Sequence, residues 1–387
     1  MNKTSKKIVF ATGIFSPDIG GPATYVNRLA KEFVKKGFDV DVVTFSDKLI
    51  LDDYEFPVTR ILRKYPKGIR HFLFFLKLLK IAKNKDVIYA QNQISAGLPS
   101  LIAAKILKKK LILKVVGDAA WENYANRCKE FDDLNVFQTK KYDVLTEIFR
   151  ILRSFVAKNA DRIITPSYYL KDIISKWDVE KEKTQVVYNA LKDLFASEIS
   201  KEQAQNKINI KGDIILSIGR LCPWKGFKTL IDIMPDLLKQ NPNFKLVIVG
   251  EGQEKQNLEN KVKELKIENS VKLTGRIDHK NIPLYFKASE MFVLNSEYEG
   301  LPHVVLEAMQ LGIPAIISNR GGNPEVVQNN FNGFLVEYNN KEQIRKAIIN
   351  LYNNKELQQT FIRNSKEKLK KFSWKNLIEK TADIILQ

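Results

Sequence analysis

Short apolar runs recur along the whole chain, separated by stretches in which apolar residues fall three and four apart. In the first half, Ile8 to Ala11, Val40 to Thr44, Val87 to Ala90, Leu111 to Val116 and Arg162 to Thr165 are nearly continuous runs, the pattern of strands buried on both faces. Between the first two, Ala23 to Lys36 has helical spacing, with Gly37 as its stop signal. The second half repeats the theme with Ile214 to Ile218, Lys245 to Val249, Val271 to Thr274, Met291 to Leu294 and Ala315 to Ile317. Helices are predicted near Thr229 to Lys239, Glu254 to Leu265, His303 to Leu311, Lys341 to Asn350 and Lys355 to Lys370, and a last one opens at Ser373. Strands alternating with helical crossovers predict an α/β fold with parallel sheets.

A chain of 387 residues exceeds what one core usually organises. The polar, strand-poor stretch Ser197 to Lys211 lies between the two alternating series and sets a boundary within 190–212. The expected domains are 1–190 and 191–372. No run approaches the roughly 20 apolar residues of a spanning helix, and Lys6-Lys7 leads directly into Ile8-Val9-Phe10, which reads as a first strand rather than a leader. A cytoplasmic protein is expected. Cys128 and Cys222, two cysteines far apart, suggest neither a disulfide framework nor a cysteine metal site.

Charge changes the picture of partners. The formal net charge is +19, and the excess is concentrated in residues 1–190, which hold 34 Lys and Arg against 21 Asp and Glu. Such a field attracts phosphate, whether on a nucleotide, an anionic lipid or a nucleic acid.

The chemistry concentrates in Asn295 to Met309, where a strand end, a loop with Gly300, then Leu301-Pro302 and an apolar helix follow one another. A helix N-terminus offers unpaired N–H groups and a positive dipole end. A diphosphate could lie between Glu299 on the loop and Glu307 in the helix, eight residues that span on the order of 10 Å. Taken alone, two such glutamates are as consistent with a solvated surface pair. Upstream, Leu216 to Leu221 is a strand opening into a glycine turn, with Lys225-Gly226 before a helix. Arg220 and Lys225 can neutralise a diphosphate without a metal, and no His/Asp cluster has metal-ligand spacing. No metal and no cofactor are expected. Gly20-Gly21-Pro22 is a further place where backbone N–H groups can approach a phosphate or sugar, or an ordinary tight turn.

The combination of Gly219-Arg220-Leu221, Lys225-Gly226, Val249-Gly250-Glu251-Gly252, Thr274-Gly275-Arg276 and Glu299-x7-Glu307 with Ala308-Met309 resembles family 4 of the retaining glycosyltransferases. The resemblance implies the GT-B architecture, two Rossmann-like domains facing across a cleft, with the C-terminal helix 373–387 crossing back to the first domain. It implies a nucleoside-diphosphate sugar, with uracil and guanine among the candidate bases, as donor substrate. Arg220 and Lys225 would bind the diphosphate, Glu307 the ribose, and Glu299, with Gly300 and Leu301 beside it, the transferred sugar. Gly250 and Arg276 would lie near the nucleotide, Asn189 near the sugar, and Gly20 and Gly21 opposite the donor. The leaving phosphate oxygen would itself deprotonate the acceptor.

One departure stands out. Family members often carry a histidine after the strand corresponding to Lys114-Val115-Val116, whereas this chain has Gly117-Asp118, then Trp121-Glu122. Asp118 is therefore a candidate sugar-contacting or catalytic-support residue, or a structural loop aspartate. Trp121 and Glu122 are weaker candidates for the same pocket.

From Arg60 to Lys85 there are nine Lys or Arg and no acid, interleaved with Phe72, Phe74, Phe75, Leu76, Leu78, Leu79 and Ile81. Such a stretch either lies on anionic lipid or is a crossover helix packed on the sheet. Because the first domain of such enzymes receives the acceptor, a glycan or lipid-linked acceptor at a membrane surface is expected, as in assembly of cell-surface polysaccharide or glycolipid. The polar segment 126–142 is a candidate lid. A GT-B epimerase or phosphorylase would share the fold, and a basic nucleic-acid- or membrane-binding protein without turnover would share the charge. No nucleic-acid-binding module is recognisable.

Overall fold

The computed structural model describes residues 6–18, 20–50, 52–128, 131–191 and 199–387. The start of the predicted linker and residues 129–130 of the segment 126–142 lie outside the described residues. Two compact units are present: residues 1–124, 134–188 and 374–387 form one, and 125–133 with 189–373 the other. The joints fall at Tyr188/Asn189 and Ser373/Trp374, within two residues of those expected, but the stretch 125–133 groups with the second unit rather than the first.

The first unit is built on strands β1 (Lys7–Thr12), β2 (Asp39–Ser46), β3 (Val58–Leu62), β4 (Val87–Gln91), β5 (Lys110–Lys114), β6 (Arg162–Thr165) and β7 (Thr184–Val186). They form one sheet in the order β3-β2-β1-β4-β5-β6-β7, parallel throughout, with Phe10 opposite Val42 on one side and Tyr89 on the other. The second unit holds β8 (Asp213–Ile218), β9 (Phe244–Val249), β10 (Val271–Leu273), β11 (Ser289–Leu294), β12 (Ala315–Ser318) and β13 (Phe334–Val336) in the order β10-β9-β8-β11-β12-β13. In each unit the first strand is central: the chain winds out to one side of it, then returns to the other. Ligands of open α/β sheets bind at the carboxyl ends of the strands where that reversal occurs. Those points are β1/β4 in the first unit and β8/β11 in the second.

Three strands escaped the sequence pattern, namely β3, β7 and β13. All are sheet edges with mostly half-buried residues, so no continuous apolar run was required of them. The helix expected over Thr229 to Lys239 is two, Phe227–Asp232 and Met234–Gln240, with Pro235 in the first turn of the second. Proline lacks the N–H that a continuing helix would need.

The C-terminal helix Trp374–Leu386 belongs to the first unit. Arg28 of the helix Gly21–Lys35 lies 4.4 Å over the Trp374 ring, and Lys110 Nζ donates to the Ile384 carbonyl at 3.2 Å. The basic helix Lys67–Ala82 buries Phe74, Leu78 and Ala82 while Ile69, Phe72 and Leu76 remain exposed. It is a crossover helix on its inner face, and its outer face is apolar as well.

Candidate functional site: the carboxyl ends of the second sheet

Loops after β8, β9 and β10 are joined backbone to backbone. Gly219 N–H donates to Val249 O at 3.0 Å, Leu221 N–H to Glu251 O at 2.9 Å and Gly250 N–H to Gly275 O at 3.0 Å. At Gly250, with φ of +151°, a Cβ would stand 1.9 Å from Gly219 O, so only glycine allows this approach. Gly226 is similar: φ is +56° and a Cβ would meet Asn295 O at 2.2 Å, which locks the Lys225 turn against the end of β11. Glycines quoted from the sequence as ligand-approach points thus also weld the loops that carry the cations.

On this platform Lys225 and Glu299 are joined in an ion pair, with side chains 15% and 14% exposed. Arg220 is exposed, and its guanidinium lies 5.2 Å over the Trp224 ring. Cys222 lies among Arg220, Lys225 and Glu299; burial pushes its thiol up to about 11, against the pull of the two cations. Cys222 and Trp224 were not singled out from the sequence. The Glu299 loop is held from its other side by Gly322 N–H, which donates to Glu299 O at 2.7 Å. Beneath it, Ser318 Oγ accepts from Ser296 N–H at 3.0 Å and donates to the Ser296 carbonyl.

The helix His303–Gln310 starts at Pro302 with no side chain capping its first turn, leaving N–H groups directed outward at the β8/β11 reversal. Gly300 is half-buried and Leu301 buried in the turn before it. Glu307 is buried one turn in, with His279 Nε2 at 3.4 Å from its Oε1. Arg276 is exposed immediately after Gly275, whose φ is +73°. Asn189 is buried, and its Nδ2 lies 2.9 Å from His303 Nε2 at the head of the same helix.

Glu297, two residues before Glu299, is a buried acid that the sequence reading passed over. Burial raises its carboxyl to about 7; Arg320 opposes that shift and Asp133 adds to it. Arg320 Nε is 3.5 Å away. The place of Glu297 three residues after an apolar strand was the available signal.

Two known families match this chain. Glycosyltransferase Family 4 covers residues 19–192 and Glycosyl transferases group 1 covers residues 198–368. Between them they match most of the chain, which is a glycosyltransferase of the family 4 type. This glycosyltransferase is similar to UDP-Gal:alpha-D-GlcNAc-diphosphoundecaprenol alpha-1,3-galactosyltransferase of Escherichia coli, 29% identical over 299 residues, 75% of this chain and 72% of that one. It is 27% identical over 332 residues to alpha-monoglucosyldiacylglycerol synthase of Streptococcus pneumoniae, 82% of this chain and 71% of the relative. Among solved structures, HepE of Anabaena in complex with UDP-glucose superposes with a TM-score of 0.79 at 22% identity, over 98% of this chain and 99% of that one. The fold is GT-B.

In the glycosyltransferase's first unit, Gly20 and Gly21 open the helix Gly21–Lys35 with no side-chain cap, at the β1/β4 reversal. Asp118 has a different role from the one expected. It is fully buried, and Oδ1 accepts from the N–H groups of Ala120 and Trp121 at 3.0 and 3.2 Å, capping the helix Ala119–Arg127. Oδ2 accepts from Gln138 Nε2 at 3.1 Å and pairs with buried Arg153. A carboxylate with both oxygens occupied and no exposed surface has nothing left for a sugar, so the structural reading replaces the sugar-contacting one. Trp121 is fully buried too, whereas Glu122 is half-buried. Among the described residues no three His, Cys, Asp or Glu side chains converge as metal ligands, and no helix is long and apolar enough to cross a membrane.

Proposed function

We propose that this glycosyltransferase moves a sugar from a nucleoside-diphosphate donor to a glycan or lipid-linked acceptor with retention of anomeric configuration and without a metal. The observation that carries the reading is the grouping of Arg220, Lys225 and Glu299 around Cys222, beside the uncapped helix that bears Glu307. Two cations and a helix N-terminus match the negative charge of a departing diphosphate. Lys225 exchanges its Glu299 partner for phosphate when donor arrives, which frees Glu299 to accept from sugar hydroxyls. Glu307 accepts from ribose hydroxyls, and Arg276, Gly250, Gly300 and Leu301 border the nucleotide. Asn189, held by His303, is a sugar-side contact. The bond from C1 to the phosphate oxygen breaks, the acceptor oxygen attacks C1 on the same face, and the acceptor proton passes to the leaving phosphate oxygen.

UDP is the favoured carrier, since HepE is solved with UDP-glucose and the E. coli relative is named for UDP-Gal. Both named relatives carry a lipid in the product or acceptor of their names, which supports a lipid-linked acceptor in glycolipid or cell-surface polysaccharide assembly. The site of action is the cytoplasmic face of the plasma membrane, with the basic first half toward anionic lipid. Thermal stabilisation across a panel of nucleoside diphosphates and nucleotide sugars, with and without a chelator, tests the donor side. A shift with UDP and UDP-sugars that survives chelation is expected; no shift with any nucleotide overturns the proposal.

A further inference from the structure

Three helices of the first unit, Lys67–Ala82, Gly97–Leu107 and Val144–Asn159, pack side by side, the first two against strands of its sheet and the third against the second. Each buries one side within the protein and leaves apolar residues on the other. On the first, Ile69, Phe72 and Leu76 are 53%, 59% and 43% exposed at i, i+3, i+7 spacing. On the second, Ile102 and Ile106 stand exposed one turn apart. The third carries Val144, Ile148, Ile151 and Phe155 at i, i+4, i+7, i+11, between 46% and 78% exposed. That spacing is the signature of a helix face that faces a partner, yet here it lies on the side away from the protein. Exposed apolar residues spread over three adjacent helices mark an interaction surface, since large exposed apolar patches are rare on soluble monomers.

The charge around the patch identifies the occupant. Lys77 and Lys80, Lys105 and Lys108, and Lys140 and Lys141 are exposed along its margins. The first two helices carry no acid. Asp143 and Glu147 of the third are engaged within the protein, Asp143 with Thr146 and Glu147 with Arg150. A second copy would set like charge against like charge. We infer that this three-helix face docks in the plane of an anionic lipid surface, the apolar stripes entering the acyl boundary and the lysines meeting the headgroups. The inference rests on the membrane side of the proposed function and is independent of its donor chemistry. It assigns the leading contact to Val144–Asn159, a helix without the basic run that marks Lys67–Ala82.

The test is co-sedimentation of the full chain with vesicles of phosphatidylcholine alone or mixed with phosphatidylglycerol. Binding to the mixed vesicles, weakened by salt, is expected. Ile148→Glu with Ile151→Glu, and separately Phe72→Glu, should lower it at least about tenfold, and Lys77→Glu with Lys80→Glu should remove most of its salt dependence. UDP-induced thermal stabilisation of each variant reports an intact donor unit, and far-UV circular dichroism an intact fold. A blue shift of an environment-sensitive dye at Phe155→Cys on the mixed vesicles is the second readout. Vesicle binding unchanged by the apolar substitutions overturns the inference. So does a dimer in light scattering that Ile148→Glu dissociates. Loss of UDP stabilisation with vesicle binding retained would sink the donor assignment and leave the docking face standing.

Discussion

Removing the carboxylate charge of Glu299 should leave nucleoside-diphosphate binding intact or improve it, while transfer falls. Without ligand, Lys225 is already paired with Glu299, and both side chains are about 15% exposed. The gross attraction of such a pair, about 4 kcal/mol at an effective dielectric near 20, is mostly offset by desolvation and side-chain ordering, leaving about 1 kcal/mol net. A diphosphate that recruits Lys225 forfeits that pairing. Glu299→Gln removes the competition, so UDP should bind equally or up to about fivefold more tightly, given that 1.4 kcal/mol is a factor of ten. Lys225→Ala removes one charge-assisted contact worth about 1.5–3 kcal/mol, less the competition it also removes, for a net loss of roughly 2- to 30-fold in UDP affinity. In a double-mutant cycle by titration calorimetry, any gain from Glu299→Gln should be smaller in the Lys225→Ala background. The transfer rate of Glu299→Gln should drop at least about tenfold, because its contact is to the sugar. Equal loss of UDP affinity in both single variants, or strict additivity in the double, would refute the shared-lysine account.

Three further perturbations probe the framework. Asp118→Ala strands buried Arg153 and uncaps a helix, so urea unfolding should show a loss of about 3–5 kcal/mol; full stability with impaired transfer would restore the sugar-contacting role. Gly250→Ala places a Cβ 1.9 Å from Gly219 O; the loops must part, and UDP affinity should fall at least about tenfold, whereas wild-type affinity would contradict the backbone weld. For Glu297, burial raises the folded-state carboxyl from 4.5 to about 7, so the folded protein holds that proton more firmly than the unfolded chain. Its contribution to stability is greatest at acid pH and is lost as pH climbs through that window. Glu297→Gln should flatten the fall in melting temperature across it, and identical slopes for variant and wild type would remove the assignment.

The interior strands were legible because a parallel strand covered by helices on both faces must be apolar at nearly every position, as Ile8 to Ala11 and Met291 to Leu294 are. The loop chemistry at Arg220, Lys225, Glu299 and Glu307 was also visible, since glycines, cations and an anion-binding helix start occur in one local order. Edge strands such as β3 and β13 were not, because half-buried segments carry no comparable pattern. Tertiary structure alone decided the partners. Asp118 looks equally available in sequence whether it meets a sugar or Arg153, and the buried guanidinium that claims it comes from a helix that starts 26 positions later. The same holds for Lys225 and Glu299, 74 residues apart. It holds too for the helix Val144–Asn159, which the sequence pattern did not predict and whose apolar stripe only packing leaves exposed. Local pattern reports which elements form; which side chains meet, and which face is left bare, depends on contacts between residues distant in the chain, and no local window encodes them.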